Sequence, residues 1–409
     1  VIAKQIASFV EKLLSKYLRS FRKGHSPQHA LLTMLRKWQA SLSNSGKVGA
    51  VLMDLSKAFD CLPHDLLIAK MAAYGFGQDS LEVFLSYLKH RKHRVRIGSS
   101  LSDWLEILLG VPQGSVLGPI LFNIFLNDLF LFMVEGNISN YADDNTLYAC
   151  ESNIENVIKR LNGDIINVLQ WFRHNGMVAN PDKFQLLFPG TDRNISMCIG
   201  GYTIDCSDEV RLLGITVDRQ LSFYPHIKKL CRKAAAKTKA LIRIRRYLNA
   251  DQANILCNTY IMSPFNYCPL VWMFCSKQAH NLINATHRRV LSVKVNEYSL
   301  GIDDLLSRTK TVSIHTRNLR LMLAEVYKSI NQLNPEVMWN IFVPKPTAYN
   351  LRCGEMLSIP KVSTTSGLSN FEFRAALAWN NLPAEAKGSD SIDKFNTKAS
   401  MLSVYCNCK

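Results

Sequence analysis

Ile138-Ser-Asn-Tyr-Ala-Asp-Asp-Asn-Thr-Leu-Tyr148 is the stretch on which the reading of this chain turns. Two short runs rich in Ile, Tyr, Thr and Leu flank Asp143-Asp144-Asn145, and Asp and Asn are strong turn formers. The stretch predicts a β-hairpin with two carboxylates at its tip. Two adjacent carboxylates repel unless a cation lies between them. Hard oxygen ligands of this kind suit Mg²⁺, which takes one or two carboxylates together with substrate phosphates. Alone, an Asp-Asp-Asn tip is most often an ordinary solvated turn. Partners elsewhere in the chain decide its meaning.

Working outward, Lys47-Val-Gly-Ala-Val-Leu-Met53 is an apolar run of strand length ending at Asp54. A buried strand that delivers a carboxylate at its end is a common site geometry. Between the two acidic positions, Gly110-Val-Pro-Gln-Gly114 predicts a loop able to approach a substrate closely. Residues 92–97 and 104–109 predict a second hairpin with a basic first strand. Helices are predicted over 1–19, with Ile2, Ile6, Phe9, Leu13 and Tyr17 on one face, and from Ser26-Pro27 to about Ala40. Further helices are predicted over 63–75, 79–90, 115–132 and 153–174, and strands over 183–188, 195–199 and 211–217. Hairpins mixed with helices indicate an antiparallel α+β sheet and not a doubly wound one.

Beyond Asp218 the character changes, since residues 219–250 contain no acidic residue. Lys228, Lys229, Arg232, Lys233, Lys237, Lys239, Arg243, Arg245 and Arg246 surround a stripe of Ile227, Leu230, Ala234, Leu241, Ile244 and Leu248. That pattern predicts a helix with one face on a core and the other strongly basic. Helical patterns continue to about Ile341. Residues 343–370 are rich in Pro, Ser, Thr and Gly and predict a linker before a short final module, 371–409.

The 409 residues allow two or three domains, and 47% hydrophobic with 20% charged residues is the composition of a globular protein. A net charge of +17 and a pI near 9.4 point to a polyanionic partner. The eleven cysteines are scattered with no CxxC pair, which excludes a zinc knuckle and suggests a reducing, intracellular setting, nucleus or cytoplasm. Residues 107–127 carry no charge, but two prolines and three glycines among them argue against a membrane-spanning helix, and no membrane partner is expected. The chain begins at Val1 without a signal peptide and is expected to be a fragment.

Five segments, in order, resemble the reverse transcriptases of non-LTR retrotransposons, most closely the Jockey-like group. They are Val51-Leu-Met-Asp-Leu-Ser-Lys-Ala-Phe-Asp60, Gly110-Val-Pro-Gln-Gly-Ser-Val-Leu-Gly-Pro119, Tyr141-Ala-Asp-Asp144, Asn180-Pro-Asp-Lys183 and Leu212-Leu-Gly-Ile215. Phe21-Arg-Lys-Gly24 with Ser26 looks like the second finger motif, and the resemblance covers roughly residues 20–217. It implies a right-hand polymerase: truncated fingers and an antiparallel palm with packed helices over 1–217, then a helical, basic thumb over 218–342. The implied reaction is attack of a DNA primer 3′-hydroxyl on the α-phosphorus of a deoxynucleoside triphosphate, directed by an RNA template.

By the same resemblance Asp54, Asp143 and Asp144 hold two Mg²⁺ ions (Mn²⁺ as a substitute), with the Leu55 carbonyl a further ligand. Phe59 lies under the incoming sugar, where a ring would clash with a 2′-hydroxyl. Gln113 and Gly114 pack on nucleotide and template, Lys183 protonates pyrophosphate, and Arg22 is a surviving finger contact to the nucleotide. Leu212-Leu-Gly-Ile215 resembles the primer-holding hairpin. Lys228, Lys229, Arg232, Lys233, Lys239, Arg243 and Arg246 match the thumb that grips the template–primer duplex. Tyr267-Cys-Pro-Leu-Val-Trp272 and 376–383 are similar to C-terminal segments of these elements. The endonuclease and first finger motif of the family are expected before Val1. Their absence leaves open a different class of function, an inactive fragment that only binds nucleic acid.

Overall fold

The computed structural model describes residues 2–55, 57–132, 136–191, 195–199, 201–346, 356–362 and 365–401. Its contacts divide the chain into two units, residues 1–26, 47–188 and 193–207 in the first and 27–46, 189–192 and 208–409 in the second. The helical elements used below are α1 (Ile2–Val10), α2 (Pro27–Ser43), α3 (His64–Ala73), α4 (Gln78–Leu88), α5 (Gly118–Leu126), α6 (Ile154–His174) and α7 (Tyr224–Ile244).

The first unit is built on a four-stranded antiparallel sheet. Its strands are β1 (Lys47–Met53), and after the short exposed pairs β2 (Lys92–His93) with β5 (Leu105–Glu106) and β3 (Arg96–Ile97) with β4 (Ser100–Leu101), β6 (Asn137–Tyr141), β7 (Asp144–Glu151) and β8 (Gln185–Leu187). The order is β6-β7-β1-β8, so β1 is flanked on both sides, which fits its unbroken apolar run. Gly49 is required there: a Cβ at this position would lie 2.6 Å from Val157 and 2.9 Å from Phe188. Val157 belongs to α6, whose buried residues Val157, Leu161, Ile165, Val168 and Phe172 recur at helical spacing against the sheet. Asn153 starts that helix by accepting the Asn156 N–H at 2.8 Å. Each such fully buried apolar side chain contributes about 1.5–3 kcal/mol.

Several expectations need correction. The first helix ends at Val10, not near residue 19. The side chain of Asn127 accepts the Ser15 N–H at 2.6 Å and donates to the Leu13 carbonyl at 3.0 Å, replacing the bonds a longer helix would make. Leu13, beyond the helix end, is exposed, as is Phe9 within it. The helix expected over 115–132 is α5 followed by 3₁₀ turns over Asn127–Phe132. The single strand expected over 211–217 is a hairpin, β11 (Glu209–Leu212) and β12 (Ile215–Asp218), turning through Leu213 and Gly214 at positive φ. The 195–199 strand pairs with an unanticipated one to form β9 (Ser196–Ile199) and β10 (Tyr202–Asp205).

In the second unit α2 is tied to a helix nearly three hundred residues later (Ile314–Ile330) by His29, whose Nε2 lies 2.9 Å from Glu325. Burial pushes the Glu325 carboxyl up, but His29 and Asn334, donating at 2.8 Å, outweigh it and hold the group below its ordinary value. The side chain of Arg36 pairs with Glu372 in the same unit. Trp272 and Trp379, from the two C-terminal segments singled out in the sequence, are both buried. Trp379 stacks on Phe395, which stacks on Tyr327. Of the expected linker, 347–355 and 363–364 lie outside the described residues. Within its described part Leu357 is buried and exchanges two bonds with the Asn380 amide, while Val343 and Ile359 are exposed. Residues 402–409 of the final module also lie outside the described residues. Among the described residues no helix is long and apolar enough to cross a membrane.

Candidate active site

The β6–β7 hairpin turns through Ala142 and Asp143, with Tyr141 paired to Asp144 and Asn140 to Asn145. On the other side of β7, Met53 pairs with Asn145. The pairing ends there, so Asp54 leaves β1 at the same end of the sheet at which β7 begins with Asp144. Asp143 is half-buried at the turn beside them, and Asp144 is exposed. Three acidic residues remote in sequence therefore meet at one end of the sheet.

Lys183 is brought there too. It sits at the end of a 3₁₀ turn (Pro181–Lys183) and not on the strand expected from residue 183. Asn180 caps this turn by accepting the Asp182 N–H, and its own N–H bonds the Asp54 carbonyl at 3.3 Å. Lys183 Nζ donates to Asp54 Oδ2 at 3.0 Å. Leu55, next in line, is bridged antiparallel to Ala179, which fixes the backbone there.

Phe59 lies on a short 3₁₀ turn (Ala58–Asp60) entered through Lys57 in the left-handed region. Its ring stacks on buried Phe122 at 4.1 Å and meets Phe21 edge-on at 6.0 Å. The loop bearing Gln113 docks on this turn. Val111 N–H bonds the Phe59 carbonyl at 2.9 Å, Gly110 N–H the Leu62 carbonyl at 2.8 Å, and Gln113 Nε2 donates to Asp60 Oδ1 at 2.7 Å. Gly110 has φ +81°, and a Cβ there would lie 2.7–2.8 Å from the Asp60 backbone. The close approach that this glycine permits is thus to the protein's own chain. Gly114, at φ +79°, faces open space.

Arg22 is placed differently from expectation. Its side chain is 11% exposed, pairs with Glu11 at 2.7 Å, and donates to the Ser15 and Leu18 carbonyls at 2.9 Å each. These bonds hold the guanidinium against the N-terminal segment.

In the second unit, α7 exposes Lys228, Lys229, Arg232, Lys233, Lys239 and Arg243, and Arg246 follows on the next turn. Lys229 pairs with Glu209, and Arg246 lies over the Tyr247 ring. Two of the nine cations counted on this stretch turn inward. Lys237 donates to the Tyr260 carbonyl at 2.7 Å and sits over its ring, and Arg245 donates to the carbonyls of Val293, Leu248 and Lys294. Tyr267, whose segment had no assigned chemistry, donates its hydroxyl to the Leu213 carbonyl at the β11–β12 turn, at 2.8 Å.

Residues missed by sequence reasoning are Asp60 and His64, which hold the Gln113 loop (His64 Nε2 to the Gly110 carbonyl, 2.8 Å), and Asn180. Asp60 and Asn180 stand within the quoted motifs but were given no role, and His64 lies four residues past the first of them. Among the described residues no three His, Cys, Asp or Glu side chains form a ready-made metal cage. Asp54 past the end of β1 and Asp143 and Asp144 at the β6–β7 turn offer only oxygen donors. That suits Mg²⁺, which keeps positions for substrate phosphates.

A family profile described as reverse transcriptase (RNA-dependent DNA polymerase) matches residues 1–217. The chain is 26% identical over 297 residues to the probable RNA-directed DNA polymerase from transposon BS of Drosophila melanogaster, covering 68% of this chain and 32% of that protein. It is 24% identical over 294 residues to the RNA-directed DNA polymerase from mobile element jockey of Drosophila funebris, covering 69% and 32%. The chain thus spans about a third of the length of the curated relatives it matches. Among solved structures, apo telomerase from Candida tropicalis truncated from its C-terminal domain aligns with a TM-score of 0.39 at 13% identity, covering 53% of this chain and 42% of that one.

Proposed function

The chain belongs to the reverse transcriptase (RNA-dependent DNA polymerase) family, and on that premise we propose that it is the RNA-directed DNA polymerase of a Jockey-like non-LTR retrotransposon. Its substrates are an RNA template, a DNA primer and deoxynucleoside triphosphates. The observation that supports this most is the β1–β7 register, which brings Asp54, just past the end of β1, to the same end of the sheet as the Asp143–Asp144 turn.

Asp54, Asp143 and Asp144 would hold divalent ions, which supply charge neutralisation and alignment for an in-line displacement at phosphorus. The Leu55 backbone, fixed by its bridge to Ala179, offers a further oxygen. Lys183 holds the Asp54 carboxylate in place. With that carboxylate engaged by a divalent ion, the ammonium would be free to donate to phosphate oxygens and to give a proton to the leaving pyrophosphate. Phe59, clamped between Phe122 and Phe21, presents a rigid ring to the sugar and disfavours a 2′-hydroxyl. Gln113 and Gly114 close over nucleotide and template from a loop locked to Asp60. The exposed cations of α7 meet phosphates and give sequence-independent, salt-sensitive binding.

A second reading, nucleic-acid binding without turnover, is favoured by the pairing of Asp54 with Lys183 and by the engagement of Arg22 with Glu11. Primer extension on an RNA template with Mg²⁺, comparing the unaltered chain with Asp143→Ala, separates the two. Extension that disappears in the variant supports the polymerase. Equal signals from both proteins refute it for this chain.

A further inference from the structure

The turn that carries Asp143 is strained. Ala142 has φ +58°, a left-handed conformation at the first position of a two-residue connection, where glycine is usual. A residue held this way persists only when its surroundings over-determine it. Here the surroundings are two buried amides, Asn140 on β6 and Asn145 on β7, paired directly across the hairpin at 0% and 1% exposure. Asn140 Nδ2 donates to the Ala142 carbonyl at 2.8 Å and to Asn145 Oδ1 at 2.9 Å. Asn145 Nδ2 donates to the Asp143 carbonyl at 3.2 Å. Each amide thus grips one of the two turn carbonyls, and each steadies the other. Leu18, bridged to Asn140, fixes the outer strand from its far side.

The arrangement carries a cost in stability. Asn140 Oδ1 is buried without a hydrogen-bond partner among the described residues. An apolar pair of similar shape would remove that cost. We propose that Asn140 and Asn145 are positioning residues: their amides clamp the Ala142–Asp143 turn so that the hairpin carboxylates stay in register with Asp54 for a divalent cation. Neither side chain touches substrate. The proposal rests on the polymerase reading for its link to catalysis, and on geometry alone for its link to cation binding.

The test uses the full chain and Mn²⁺ alone as probe, read by electron paramagnetic resonance, alongside primer extension and thermal melting. Asn140→Leu/Asn145→Leu removes both amides together and frees only the Ala142 and Asp143 carbonyls, which belong to half-buried residues and can turn to water, so its melting temperature is expected to stay close to that of the unaltered protein. Its Asp143-dependent Mn²⁺ affinity is expected to fall about tenfold, and kcat about 10–100-fold with KM for template–primer unchanged, the scale of a small misplacement at a reacting centre. Adding Ala142→Gly, which takes the left-handed conformation unaided, is expected to recover much of the lost affinity. Unchanged Mn²⁺ affinity in the double variant would overturn the proposal. So would losses that merely follow a fallen melting temperature, no recovery with glycine, or no Asp143-dependent Mn²⁺ binding in the unaltered protein. A protein that binds Mn²⁺ through Asp143 yet extends no primer removes the polymerase reading and leaves the Mn²⁺ comparison to decide this one.

Discussion

Gly110 and Gly114 offer a matched pair of perturbations. Both have φ near +80°, so Gly→Ala at either costs about 1–2 kcal/mol for placing a Cβ in the left-handed region. At Gly114 nothing lies within 4 Å of the added atom, and the cost should stop there. At Gly110 the Cβ would sit 2.7–2.8 Å from backbone atoms of Asp60, which cannot rotate aside as a side chain can. The loop must withdraw, stretching the bonds from Gly110 N–H to Leu62, from Val111 N–H to Phe59, and from His64 to the Gly110 carbonyl. At about 1 kcal/mol net per bond, partial loss of the three adds roughly 2–3 kcal/mol. With about 2–4 °C per kcal/mol for a unit of this size, Gly110→Ala should lower the melting temperature by roughly 6–20 °C, and Gly114→Ala by roughly 2–8 °C, with the first clearly larger. Differential scanning calorimetry on the two variants reads the difference. Equal shifts would refute the inference that Gly110 is a backbone-to-backbone contact site.

Phe59→Ala should relax sugar selection, raising ribonucleotide use relative to deoxynucleotide use by at least tenfold in single-nucleotide incorporation; unchanged discrimination refutes its role. On α7, Lys233→Ala/Lys239→Ala should reduce the slope of log affinity against log salt for an RNA–DNA duplex by about 1.5–2. Lys237→Ala should instead leave that slope alone and lower the melting temperature, because Lys237 is bound to Tyr260. Finally, burial holds the imidazoles of His226, His287 and His315 down to about 4, with nearby cations adding to the effect. Below their ordinary range the unfolded chain takes up protons that the folded chain does not, so stability falls from about pH 6.5 down to about pH 4. At pH 5 each contributes a loss of about 2 kcal/mol relative to pH 7. Urea midpoints that are flat across this window would contradict their burial as neutral rings.

The parts legible in the sequence were those written in local periodicity. β1 runs to Met53, just before Asp54, because its apolar run is continuous, and the 138–148 pattern signalled the hairpin, though its turn lies at Ala142 and Asp143 and leaves Asp144 and Asn145 on β7. The basic stripe of α7 was legible for the same reason, though not that Lys237 and Arg245 would bend inward to carbonyls distant along the chain. What was not legible depended on long-range partners. The early end of α1 is set by Asn127, and the role of Arg22 by Glu11 and two carbonyls. The grouping of residues 27–46 with the C-terminal half rests on contacts such as His29 with Glu325. Asn145 illustrates the limit well: as a turn former it was expected to be solvated, but its amide is buried and turned back on the turn itself. At the site, motif order indicated which residues matter, while the locking bonds to Asp60 and His64 became visible only in three dimensions.

On this reading Asp54 and the Asp143–Asp144 hairpin share one divalent-cation centre. Anomalous diffraction from crystals of the chain grown with Mn²⁺, an RNA–DNA template–primer and a non-hydrolysable deoxynucleotide tests it directly. Mn²⁺ peaks are expected within coordinating distance of both Asp54 and the hairpin carboxylates, with Lys183 released from Asp54 toward the triphosphate. Nucleotide bound with Asp54 still paired to Lys183, and no peak between the two strands, would contradict it.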